Sequence, residues 1–207
     1  DNIDLNRNFR DYSQPLPDNA PYREIHDMIV PKDWDGPARA KAEEAIAAYI
    51  DANGMPKYQA AVSGGQHIAE DGIFFGGKKA AWSNDTLRAV TKEHAADAEH
   101  LALIDIHTGL GPYGFGELIY VGDLSGIDRA AQWYDGEVTS PESGTSTSAP
   151  VSGTIDKGVC AMAPNAVNTC IAIEYGTIDL MDVLNALRAD NWLYVHGDVE
   201  SELGQQI

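Results

Sequence analysis

Three short stretches carry side chains whose type and position suit bond-breaking chemistry. The first is Asp105-Ile106-His107-Thr108-Gly109-Leu110-Gly111. Side chains alternate along a strand, so Asp105 and His107 share a face. His107 falls where an apolar strand gives way to a glycine-rich loop, the end at which open α/β sheets bind ligands. An imidazole there can ligate a metal while the neighbouring carboxylate orients its ring. The plainer alternative is a histidine that closes the strand by hydrogen bonding. In the second stretch, Ile171-Ala172-Ile173-Glu174 runs into Tyr175-Gly176-Thr177. A glutamate closing an apolar strand must be paired, solvated or functional, because an unpaired buried carboxylate is costly. Glu174 could draw a proton from water as a general base, or it could pair with a cation. The third stretch, Asp4-Leu5-Asn6-Arg7-Asn8-Phe9, sets an amide beside a guanidinium. The planar fork of arginine matches a carboxylate, although most arginines simply face solvent.

These groups need elements to hold them. Leu101 to Ile106 is an apolar run broken only by Asp105, which reads as a buried parallel strand. Glu117 to Val121 and Thr169 to Glu174 read as two further strands. Pro37 suits a first helical turn, Ala42, Ile46, Tyr49 and Ile50 form one apolar face, and Gly54 with Pro56 ends that helix. Ser83 is expected to cap a helix that turns Leu87, Val90, Ala95 and Ala98 inward. Thr177 is expected to cap another, with Leu180, Val183, Leu184 and Leu187 on one side. Asp11 to Asp35, rich in Pro, Asp and Asn, reads mostly as loop. Helices alternating with buried strands predict an α/β fold, a mostly parallel or mixed sheet flanked by helices. Residues 139–154, dominated by Ser, Thr, Pro and Gly, read as a flexible internal loop for which a lid is one role.

Bulk properties narrow the function. A chain of 207 residues with 43% hydrophobic residues suits a single globular domain. Acidic residues outnumber basic ones 32 to 14, giving a net charge of −18. That balance argues against nucleic acid and anionic membranes as partners, since both need a basic footprint. It also suggests a surface tuned to salt. No apolar run approaches the roughly 20 residues of a membrane helix, and no signal peptide is visible, so a cytoplasmic protein is the expectation. Cys160 and Cys170 are too few to staple a scaffold, and Cys170, inside an apolar run, reads as a buried free thiol. No Gly-x-Ser-x-Gly elbow is present, and Gly76-Gly77-Lys78-Lys79 lacks the phosphate-loop pattern.

Taken together the three stretches resemble the zinc carboxypeptidase superfamily of carboxypeptidase A-like metallopeptidases, and more narrowly an uncharacterised bacterial branch of it. The resemblance extends through Asp4–Phe9, Gly72-Ile73-Phe74-Phe75-Gly76-Gly77, Asp105–Gly114, Glu174–Thr177, and Trp192-Leu193 followed by His196-Gly197. It implies a zinc-exopeptidase-like domain, of which residues 1–207 form the larger C-terminal part. It implies that Asn6 and Arg7 hold a substrate's terminal carboxylate, that His107 is a zinc ligand steadied by Asp105, and that Glu174 is the catalytic glutamate. The cofactor would be one zinc ion, and the substrate a peptide or acyl-amino acid with a free carboxylate. That family draws two further zinc ligands from a His-x-x-Glu motif upstream of Asn-Arg. Here the expectation is that this motif, a second substrate-binding arginine and the first strands belong to an upstream segment or a second chain. His67-Ile68-Ala69-Glu70 has the same local spacing but follows Asn-Arg, so His67 is expected to shape the cleft or sit on a loop. The competing expectation is a metal-free binding or interaction module that retains the cleft.

Overall fold

The computed structural model describes residues 2–207. A four-stranded sheet lies at its centre, built from β1 (His100–Gly109), β2 (Gly116–Tyr120), β3 (Val138–Thr139) and β4 (Val167–Gly176). The spatial order is β1-β4-β2-β3. β1 runs parallel to β4, β2 antiparallel to β4, and β2 parallel to β3. The sheet is therefore mixed and helix-flanked, an α/β arrangement.

Register decides which side chains meet. His107 pairs with Glu174 across β1 and β4, Asp105 with Ala172, and Glu117 of β2 with Glu174. Alternation then places Asp105, His107, Glu174 and Glu117 on one face. The opposite face carries Leu118, Tyr120, Ile171 and Ile173, which pack under α5 (Ile127–Tyr134). β1 departs from the sequence expectation. It forms one border of the sheet among the described residues, and its outer residues Ile104 and Ile106 are 50% and 69% exposed. An apolar run broken only by Asp105 suggested burial on both faces, but α5 covers only the β2–β4 side.

A second core forms among the helices. α1 (Ala20–Ile29), α2 (Gly36–Asn53), α3 (Met55–Ser63) and α7 (Leu180–Val195) bury Tyr22, Ile25, Ile29, Ile46, Tyr58, Val62 and Leu184 together. The existence of α1 corrects the reading of Asp11–Asp35 as loop. Asn19 caps it by accepting from the Tyr22 amide at 3.0 Å, and Pro21 sits in its first turn, where a missing N–H is harmless. Arg188 of α7 crosses this core, donating to Ile29 O and Glu43 and tying α7 to α1 and α2.

Two helix starts also differ from expectation. α4 (Trp82–Ala95) begins one residue before Ser83, without a side-chain cap, and buries Asn84 and Thr91 while Val90 is 48% exposed. Asn84 turns inward because Asn8 offers it both a backbone and a side-chain oxygen. At α7 the cap position is Asp179, and Thr177 instead donates to Gly109 O at 2.8 Å, tying the ends of β4 and β1 together. No helix among the described residues is long and apolar enough to cross a membrane.

Candidate active site

A cavity of about 360 Å³ opens over the carboxyl ends of β1 and β4. Asp105, His107 and Glu174 rise from the sheet into it, and Leu180, Val183 and Leu187 of α7 line it with apolar surface. The turn around Leu5–Arg7 contributes Asp4, Asn6 and Arg7, and residues 141–154 supply Pro141, Glu142, Ser148 and Thr154. All five residues singled out in the sequence, Asn6, Arg7, Asp105, His107 and Glu174, thus line one cavity. The 139–154 segment is a wall of it.

The electrostatics separate the two glutamates. Glu174 is 9% exposed, and burial pushes its carboxyl above the usual carboxylate range. The Leu110 amide, donating to Oε1 at 3.0 Å, opposes this only in part. Its neighbour Glu117 goes the other way. Burial would raise it, but the hydroxyls of Thr139, Thr147 and Ser146 and the Thr147 amide together outweigh that and hold it below its usual value. Glu117 therefore stays ionised, and its charge adds to the rise at Glu174. Two adjacent carboxyls driven apart in this way suit one for proton transfer and the other for a fixed charge.

His107 is held by its neighbour. Its Nε2 lies 2.8 Å from Asp105 Oδ2, and Asn6 Nδ2 lies 3.4 Å from the same nitrogen. The bond to Asp105, with the charges of Asp105 and Glu174, raises the imidazole's proton affinity against the opposing effect of burial. With Nε2–H donating to Asp105, the lone pair sits on Nδ1.

Arg7 is buried, and its two terminal nitrogens are paired while Nε has no hydrogen-bond partner. Nη1 pairs with Asp4 Oδ2 at 3.0 Å, Nη2 donates to Ser63 O, and the guanidinium stacks on the Phe74 ring, 4.2 Å from its centroid. Phe74 adopts a left-handed backbone (φ 52°), rare for a large side chain. Asn6 Oδ1 accepts from the Ile155 amide at 2.8 Å, fastening this turn to the start of α6 (Ile155–Met162). Asn8, fully buried, donates to Gly76 O and Lys79 O and accepts from Ala81 N. It anchors the turn to the 76–81 segment. A side chain on Gly158 would overlap the Phe9 ring, so α6 approaches that turn closely because residue 158 is glycine.

Three residues of the site escaped the sequence reading. Glu117 had a usable signal, an acidic residue at an alternating position of an apolar strand. Phe74 lay in the quoted Gly72–Gly77 stretch, but no local pattern announces a ring beneath a distant arginine. Asp156 lines the cavity from α6 and is 7% exposed, with nothing in its sequence context to mark it. His67 belongs elsewhere: its Nδ1 is bonded to Gly77 O at 2.6 Å, and its ring packs on Gly76.

As for a metal, His107 Nδ1 fits a ligand's role. Among the described residues no group of three or more His, Cys, Asp and Glu side chains is arranged to hold an ion. A zinc site at His107 would need donors beyond these.

Fold and site together define a class: an α/β protein with a histidine–carboxylate pair and a buried glutamate at the carboxyl end of its sheet. The whole chain, residues 1–207, matches a family described as Protein of unknown function (DUF2817), and it belongs to that family. No curated protein and no solved structure matches it.

Proposed function

We propose that this protein is a zinc-dependent, carboxypeptidase-like hydrolase of peptide or amide bonds. The observation that carries the reading is the pairing of His107 with Glu174 on adjacent parallel strands, about 4.8 Å apart, in a cavity that raises the glutamate's proton affinity. A carboxyl so tuned can take a proton from water and return it to a leaving amine nitrogen. His107, its ring oriented by Asp105, is the residue of this chain that would hold zinc. Zinc in such a site polarises a carbonyl and makes water more acidic. Glu117 contributes a fixed negative charge behind Glu174. The apolar wall from α7 accommodates an uncharged part of the substrate. Asn6 and Arg7 are the groups suited to a substrate's free carboxylate, which would share the Arg7 fork with Asp4.

The test pairs elemental analysis of the full natural chain with hydrolysis of acyl-amino acids and peptides. About one zinc per chain is expected, and Glu174→Gln should lower kcat by about a hundredfold or more while leaving the zinc content unchanged. Full activity in Glu174→Gln would defeat the assignment. A second reading, a metal-free binding module that retains the cleft, draws on one observation: among the described residues His107 is not joined by further His, Cys, Asp or Glu side chains in a group that could hold an ion. Tight binding of acyl-amino acids without zinc or turnover would favour it.

A further inference from the structure

A second cavity, of about 280 Å³, lies between α6, the end of β2 and the first turns of α5. Asp156 lines both cavities, so the start of α6 is a wall common to them. In the second cavity stand both cysteines of the chain, with Tyr120, Arg129 and Lys157 around them. Both are free thiols, and their Sγ atoms are 3.1 Å apart. A disulfide needs about 2.05 Å, so a shift of about 1 Å would bond them. The two are not equivalent. Cys160, on the last turns of α6, is partly exposed at the cavity, whereas Cys170 on β4 is 2% exposed. Their mutual hydrogen bond lowers the proton affinity of Cys160 and raises that of Cys170, whose burial raises it further. Two thiols packed only for their volume would need neither this contact nor the access of one of them. An accessible thiol with a lowered proton affinity beside a second thiol is the arrangement by which proteins exchange disulfides.

We propose that Cys160 and Cys170 are a redox-active pair, oxidised by a low-molecular-weight disulfide of the glutathione class to an internal bond that fastens α6 to β4. Cys160 attacks one sulfur of the small disulfide, whose S–S bond breaks. The departing thiolate takes up the proton that Cys160 gave. Cys170 then attacks Cys160 Sγ in the mixed disulfide, and the second small thiol leaves with the Cys170 proton. The pair loses two electrons and two protons, and the oxidant becomes two thiols. Excess small thiol reverses both steps. The pair has no part in the reading of the cleft, so the inference stands apart from it.

The experiment is intact and peptide mass analysis of the folded full chain after incubation with oxidised glutathione. The wild type is expected to lose two hydrogen masses and yield a peptide cross-linked through Cys160 and Cys170. Cys170→Ser should stop at one glutathione on Cys160, and Cys160→Ser should carry none. The cross-link should raise the melting midpoint of the wild type by about 5 °C, reversibly with dithiothreitol. A folded wild type that stays unmodified, or holds glutathione without resolving it, overturns the pair. An adduct on Cys170 in Cys160→Ser overturns the order of attack, and an unchanged midpoint overturns the fastening of α6.

Discussion

Asp156 shows what burial alone does to one residue. Its Oδ2 is buried with no hydrogen-bond partner, and burial lifts its carboxyl above the usual range, opposed by the nearby Thr154 hydroxyl and Lys157. A proton affinity higher in the folded than in the unfolded chain means that the ionised form costs stability above the folded pKa. That cost fades as pH falls through the folded value. Asp156→Asn removes the charge and keeps the shape. It should raise the unfolding free energy by about 1 kcal/mol at neutral pH and lose the advantage once the pH is below the ordinary aspartate value. Urea unfolding at both pH values checks this, and an equal gain at both would show that the charge is not the cause. Among the site residues, chemical type and strand position were enough to select His107, Asp105 and Glu174. Nothing local could select Asp156, because its burial depends on packing that its own stretch does not show.

Among the elements, the 139–154 segment carries the clearest test. Composition marked it as a flexible loop, since Ser, Thr, Gly and Pro support no regular element. Its attachment depends on Glu117, which accepts from Thr139 Oγ1 at 2.5 Å and Thr147 N at 3.1 Å. The carboxylate is held below its usual range. This tether is therefore complete above the unfolded glutamate value and is lost as pH falls through the folded one. Glu117→Gln keeps the bulk but turns one acceptor into a donor. Amide exchange at Thr147 should quicken by about tenfold, with little change in the α1–α3 core. Exchange that stays slow would mean that the segment holds itself by its internal bonds, such as Ser143 Oγ to Ser140 O. Helix α1 teaches the opposite lesson. Its Tyr22, Ile25 and Ile29 follow a helical period, but ten residues framed by Pro, Asp and Asn look like loop until α2, α3 and α7 supply a surface to bury them against.

For the whole molecule, charge is the dominant feature. An excess of 18 negative charges on 207 residues repels itself across the surface of the compact state. Added salt screens that repulsion, with a Debye length of about 3 Å at 1 M. The melting midpoint should therefore rise by several degrees between dilute buffer and about 1 M sodium chloride, as followed by circular dichroism. A flat response would mean that local pairs such as Arg188–Glu43 already balance the surface field.

Sequence alone determined the alternation of helices and strands, the three strands that matter and the identity of the chemical groups at their ends. These follow from local apolar periodicity and from the cost of ending an apolar strand on a charge. It also determined the acidic character that sets the response to salt. Tertiary structure decided the rest. The β1-β4-β2-β3 order, which sets Glu174 between His107 and Glu117, depends on pairings between residues about 70 and 60 positions apart. Likewise the direction in which each carboxyl's proton affinity moves depends on burial and on donors from remote loops. Burial is a property of the packed molecule, so no stretch of sequence read by itself contains it.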